Sequence, residues 1–89
     1  METVTLYREI GKTLHSLGAF RVVLLKSKII FEENITMLLE IAVDGPINIK
    51  KAEKQCSEKF STIIIKLINL NDFSNNLVMK EVIEDGIQL

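Results

Sequence analysis

Apolar residues recur at the helical period near the start of the chain. Their separations of four, four and three residues place them on one stripe of an α-helix. The stripe consists of Leu6, Ile10, Leu14 and Leu17. The spacing predicts a helix over residues 3–17, with Gly18 just past its end. His15 lies away from the stripe, so we interpret it as a solvated surface histidine.

The next segments have the composition of β-strands. Residues 20–25 form a short apolar run with β-branched side chains, and residues 29–31 form a second one. We interpret the second run as an added strand or hairpin arm, with residues 26–28 as the turn between the two. Residues 35–43 predict the next strand. Its alternation predicts two faces: Leu38, Glu40 and Ala42 on one, and Leu39, Ile41 and Val43 on the other.

The second half predicts a helix between two strands. Residues 44–46, Asp-Gly-Pro, predict a turn, and Asn48 is a good N-cap for a helix that runs to about Lys59. The buried stripe of this helix is predicted to be Ile49, Ala52, Cys56 and Phe60. Residues 62–70 predict an apolar strand interrupted by Lys66. Residues 74–84 predict a last helix, which points Val78, Met79, Val82 and Ile83 inward and is followed by Gly86.

A strand–helix–strand crossover of this length implies parallel neighbouring strands with a right-handed connection. The predicted fold class is therefore α/β, a small mixed β-sheet flanked by helices. With 89 residues, 47% of them apolar, we expect a single globular domain over residues 1–89.

Charge and composition narrow the classes of function. The net charge of −1 gives no reason to expect nucleic-acid binding, which needs clustered basic residues. Four lysines at positions 50, 51, 54 and 59 alternate with Glu53 and Glu58, as on a solvated helix face. Cys56 is the only cysteine, so no internal disulfide forms, and we interpret it as a small buried hydrophobe. No segment is long and apolar enough to span a membrane, and no signal-peptide pattern opens the chain, so we expect a cytoplasmic protein.

Three segments together resemble the minimal nucleotidyltransferase family. They are residues 24–27 (Leu-Leu-Lys-Ser), residues 38–46 (Leu-Leu-Glu-Ile-Ala-Val-Asp-Gly-Pro) and residues 65–72 (Ile-Lys-Leu-Ile-Asn-Leu-Asn-Asp). That family carries a Gly-Ser turn, then an Asp-x-Asp strand about ten residues later, and a third Asp on a following strand. In the alignment, Lys26 and Ser27 take the Gly-Ser positions. Leu38 and Glu40 take the two Asp positions, and Lys66 takes the third.

The resemblance implies a nucleotidyltransferase scaffold with the catalytic chemistry lost. In the family, three carboxylates hold divalent ions that clamp the nucleotide phosphates. Here Leu38, Glu40 and Lys66 sum to a formal charge of zero. We therefore expect no catalytic residues, no metal site and no cofactor.

The sequence leaves two alternatives open. One is a divergent nucleotidyltransferase that uses Glu40 together with Asp44, Glu32 or Glu33. The other keeps nucleotide binding without transfer, with Lys26, Ser27 and Lys66 as phosphate donors.

The face that holds substrate in the family is largely apolar in this chain. By alternation it carries Leu38, Glu40, Ala42, Ile64, Lys66 and Ile68. We predict a protein interface there, with Leu38, Ala42, Ile64 and Ile68 as its apolar residues. The partner is either a second copy of the chain or a small helical protein. The resemblance implies one candidate, because minimal nucleotidyltransferases are commonly paired, as antitoxins, with HEPN-type proteins. The alternative is that residues 29–31 fold over this face. We also expect Glu40 and Lys66 to lie on one face of adjacent strands.

Overall fold

The computed structural model of the chain describes residues 3–32, 34–70 and 84–89. These residues form two helices and a mixed four-stranded sheet. The elements are α1 (Thr3–Ser16), β1 (Arg21–Glu32), β2 (Ile35–Asp44), α2 (Ile49–Lys59), β3 (Ile63–Asn69) and β4 (Ile87–Gln88). The strand order across the sheet is β3-β2-β1-β4. The predicted α/β class is confirmed, and none of the helices in the described ranges is long and apolar enough to cross a membrane.

Helix α1 packs its apolar stripe on the sheet as the spacing predicts. Ile10 and Leu14 are fully buried, and Leu6 and Leu17 pack against the same core. The helix ends before Gly18, which adopts a φ of 115° that favours glycine.

Strand β1 corrects one prediction. Residues 26–28 do not form a turn, because β1 continues without interruption from Arg21 to Glu32 and pairs antiparallel with β2 along its length. The run Lys-Ser-Lys contains no Gly, Pro, Asn or Asp, and its serine favours turns only weakly. The chain reverses only after Glu32. The pairing register with β2 shifts between Leu24 and Lys26 and again between Ile29 and Glu32. At each shift β1 contains one extra residue, as in a β-bulge.

The two predicted faces of β2 are confirmed. Leu39, Ile41 and Val43 are fully buried in the core beneath the helices. Ala42 belongs to a second, smaller cluster on the opposite side of the sheet, with Val23, Leu25 and Leu70. The sheet is therefore apolar on both sides at this end, which is the pattern of a strand covered on both faces.

Helix α2 connects β2 to β3 as the sequence predicts. The Asn48 side chain caps the helix by accepting a hydrogen bond of 3.1 Å from the Lys51 backbone N–H. Ala52, Cys56 and Phe60 are buried, and Ile49 packs against the same core. Strands β2 and β3 are parallel, which confirms the predicted crossover. Burial raises the pKa of the Cys56 thiol, so this cysteine stays neutral inside the core.

The C-terminal strand β4 was not predicted. Ile87 and Gln88 pair antiparallel with Leu24 and Val23 of β1. His15 is exposed as expected, but it also joins α1 to this end of the chain. Its Nδ1 lies 2.9 Å from the Ala19 carbonyl oxygen and its Nε2 lies 3.2 Å from the main-chain oxygen of Leu89. The helix predicted over residues 74–84 falls outside the described residues, apart from its last residue.

Candidate functional site

The side of the sheet that faces away from α1 and α2 contains most of the positions that the sequence singled out. We call the end of this side that no described helix covers the open face. It is defined by two side chains from each of β1, β2 and β3. These residues are Lys26, Lys28, Leu38, Glu40, Ile64 and Lys66.

Strand register arranges the open face as two rows across three strands. In the first row, Leu38 lies between Lys28 of β1 and Ile64 of β3. In the second row, Glu40 lies between Lys26 and Lys66. Side chains that pair directly across neighbouring strands share a face and lie about 5 Å apart at Cβ. The prediction that Glu40 and Lys66 occupy one face of adjacent strands is therefore confirmed.

Glu40 has a lysine on both sides. Lys26 and Lys66 are exposed and Glu40 is half-buried. Within the described part of the chain, Glu40 makes no direct ion pair with either lysine. Opposite charges that are not in direct contact attract through solvent. Even exposed ion pairs contribute only about 0–1 kcal/mol to the stability of the fold. The row therefore balances the charge of Glu40 without adding much stability.

The bulge in β1 determines which residues of the Lys-Ser-Lys run share this face. Beyond the bulge, Lys26 lies opposite Glu40 and Ser27 lies opposite Leu39. Leu39 is fully buried on the helix side of the sheet, so Ser27 points to that side as well. The structure therefore brings Lys26 together with Lys66 but separates Ser27 from both. Lys28 lies on the open face instead. The prediction of a turn over residues 26–28 gave no reason to expect it there.

The carboxylates considered for a divergent catalytic site are spread along the sheet. Asp44 lies four residues from Glu40 on β2, or about 13 Å at strand geometry. Its Oδ1 accepts a hydrogen bond of 2.9 Å from the Gly45 backbone N–H. Glu32 lies opposite Ile35, five residues from Glu40, and Glu33 falls outside the described residues. Across residues 3–32, 34–70 and 84–89, no group of three or more His, Cys, Asp or Glu side chains could hold a metal ion.

The four predicted interface residues differ in accessibility. Ile64 is 44% exposed, and Leu38 and Ile68 are half-buried. Ala42 is only 1% exposed, so it offers no surface to a partner. Residues 29–31 do not fold over the open face, because they extend β1, where Ile29 is 66% exposed. The accessible apolar surface is therefore the pair Leu38 and Ile64, and Ile68 lies farther along β3, beyond Lys66.

No protein-family model, no curated protein and no solved structure matches this chain at a significant level. The arrangement of the open face therefore carries the functional argument.

Proposed function

We propose that this chain is a non-catalytic, nucleotidyltransferase-like interaction protein that binds a protein partner through its open face. The observation that carries the proposal is the row Lys26–Glu40–Lys66. In the family that the sequence resembles, carboxylates gather on this part of the sheet. Here a single carboxylate stands between two ammonium groups, beside the accessible apolar side chains of Leu38 and Ile64.

The charges of this row oppose metal-dependent transfer. Mg²⁺ requires oxygen ligands and is bound in nucleotide-processing sites by carboxylates together with substrate phosphates. Glu40 is the one carboxylate of the open face, and the lysines on either side repel a cation. The alternative of a divergent enzyme would need Asp44 or Glu32 to reach Glu40, and strand geometry separates them by more than about 10 Å.

Nucleotide binding without transfer is the second alternative. It keeps support from Lys26 and Lys66, whose ammonium groups can contact phosphate oxygens. It loses Ser27, which points to the helix side of the sheet, away from both lysines. Contact with a protein surface uses both the apolar and the charged residues of the open face, so we favour it. An antitoxin-type partnership with a HEPN-type helical protein is one form of this proposal.

We expect no nucleotide transfer by the purified chain. Labelled ATP with candidate protein and RNA acceptors should leave no label, because Leu38 and Lys66 occupy two of the three carboxylate positions. Calorimetry should show no Mg²⁺ or Mn²⁺ binding tighter than about 1 mM. Label transfer that Glu40→Gln abolishes would establish the divergent enzyme instead.

We expect the open face to contact another protein in the cell. A photo-reactive phenylalanine analogue in place of Ile64 should form a discrete cross-linked product with one protein, because this side chain is accessible beside Leu38. The same analogue in place of Lys50 on α2 is the matched control and should not form that product. Equal products at both positions, or none at Ile64, would contradict the proposal. Mass spectrometry of the product identifies the partner, or a second copy of the chain.

A further inference from the structure

The open face is positively charged on a protein whose net charge is −1. Lys26, Lys28 and Lys66 contribute three positive charges and Glu40 contributes one negative charge, which gives a net charge of +2. The rest of the chain therefore carries a net charge of −3, which is −1 less +2. Such a separation of charge steers association toward partners of opposite sign.

The positive charges lie on the outer columns of the face. Lys26 and Lys28 project from β1 on one side of β2, and Lys66 projects from β3 on the other side. The central strand β2 carries Leu38 and Glu40, and Ile64 lies next to Leu38 on β3. Strands are spaced about 4.8 Å apart, so a helix of about 10 Å diameter lying along β2 would reach both outer columns.

We propose that the partner presents an acidic amphipathic helix to this face. The apolar stripe of that helix covers Leu38 and Ile64, and carboxylates along its edges lie beside Lys26, Lys28 and Lys66. This inference rests on the proposed function, because it names the class of partner for the same surface.

Two other occupants fit the face less well. A second copy docked face to face would bring six lysines and only two glutamates together, so like charges would oppose the dimer. Single-stranded nucleic acid is normally held by aromatic side chains on which bases stack, and the six residues of the open face include no aromatic ring. An acidic protein helix satisfies both the charge and the apolar surface.

The test uses two designed peptides of about 18 residues with the same leucine stripe at helical spacing. The polar positions along the stripe are glutamate in one peptide and lysine in the other. Fluorescence anisotropy should show the glutamate peptide binding at least about tenfold more tightly than the lysine peptide. Raising the salt from about 50 mM to about 500 mM should reduce the difference, because exposed charges are screened. Amide chemical shifts should change at Leu38, Ile64 and Lys66.

Reversing the charge of two lysines tests whether the preference for the glutamate peptide arises at the open face. The double variant Lys26→Glu with Lys66→Glu should lose the preference for the glutamate peptide. The matched control, Lys50→Glu with Lys54→Glu on α2, changes the same total charge at exposed positions and should keep it. If the control variant also loses the preference, the charge effect is not specific to the open face and the inference is overturned.

Other outcomes separate this inference from the proposed function. If both peptides bind equally and Leu38→Asp weakens both, the open face is an interface without charge selectivity. The inference is then overturned and the proposed function stands. Displacement of the glutamate peptide by a single-stranded oligonucleotide, or formation of a dimer that occupies the face, would also overturn the inference. If neither peptide binds and no product forms at Ile64, both proposals fail.

Discussion

A chain carrying Leu38→Asp should keep its fold but lose most of its affinity for the protein partner. Leu38 is half-buried at the uncovered end of the sheet, so its replacement removes little of the core. In the complex, however, the new carboxylate would be desolvated against the apolar and acidic surface of the partner, which costs binding free energy. We expect the Kd to rise about tenfold or more, which corresponds to about 1.4 kcal/mol. Calorimetry with the partner identified by cross-linking at Ile64 measures this change.

The control for Leu38→Asp is Val4→Asp on α1. Val4 is an apolar residue that is 68% exposed, so the change introduces the same charge at an accessible position away from the open face. Its Kd for the partner should stay within about twofold of the unchanged chain. Denaturant unfolding of each variant checks that the fold is retained. If Leu38→Asp binds as tightly as the unchanged chain, the partner uses another surface.

We expect a large loss of stability from Gly45→Ala in the turn between β2 and α2. Gly45 has a φ of 118°, where a side chain is strained, and an added Cβ would lie 2.6 Å from the Gly18 carbonyl oxygen and 2.9 Å from the Phe20 backbone nitrogen. Both neighbours are backbone atoms, so no side chain can rotate away. Positive φ alone costs about 1–2 kcal/mol. We expect the free energy of unfolding to fall by about 2–4 kcal/mol, a loss in the upper range for single substitutions.

Urea unfolding followed by circular dichroism measures the effect, with Pro46→Ala as the matched control in the same turn. Pro46 is exposed, so its replacement should change the free energy of unfolding by less than about 1 kcal/mol. If Gly45→Ala unfolds at the same urea concentration as the unchanged chain, the turn between β2 and α2 is not in close contact with residues 18–20.

Local patterns predicted most of the fold because each element carries its own signals. The helix stripe of α1, the alternation of β2 and the Asn48 cap all depend on residues close together in the chain, and each is confirmed. Strand β4 could not be predicted in this way. Its pairing with Val23 and Leu24 joins residues more than 60 positions apart, and Ile87 and Gln88 are too few to show a periodicity.

The candidate site was predictable only in part because it depends on register. The parallel crossover predicts that β2 and β3 are neighbours, and the register that sets Glu40 beside Lys66 follows from the alignment with the family that the sequence resembles. The position of Lys26 depends on the β-bulge after Leu24, and no residue in that segment signals a bulge. With a turn predicted at residues 26–28, the sequence could not show that Lys26 and Lys28, and not Ser27, lie on the same face as Glu40.

The bulge after Leu24 determines which side chains of β1 lie on the open face. Side chains on a strand alternate, so the position of one extra residue decides which alternate set faces outward. With the bulge after Leu24, the arm displays Lys26 and Lys28 beside Glu40. If the extra residue were instead accommodated beyond Ile29, the same arm would display Ser27 and Ile29 there. A single sequence thus contains two alternative surfaces, one basic and one apolar. Moving the bulge along this arm, with no change of sequence, would exchange them while Val22 and Leu24 stay in the core.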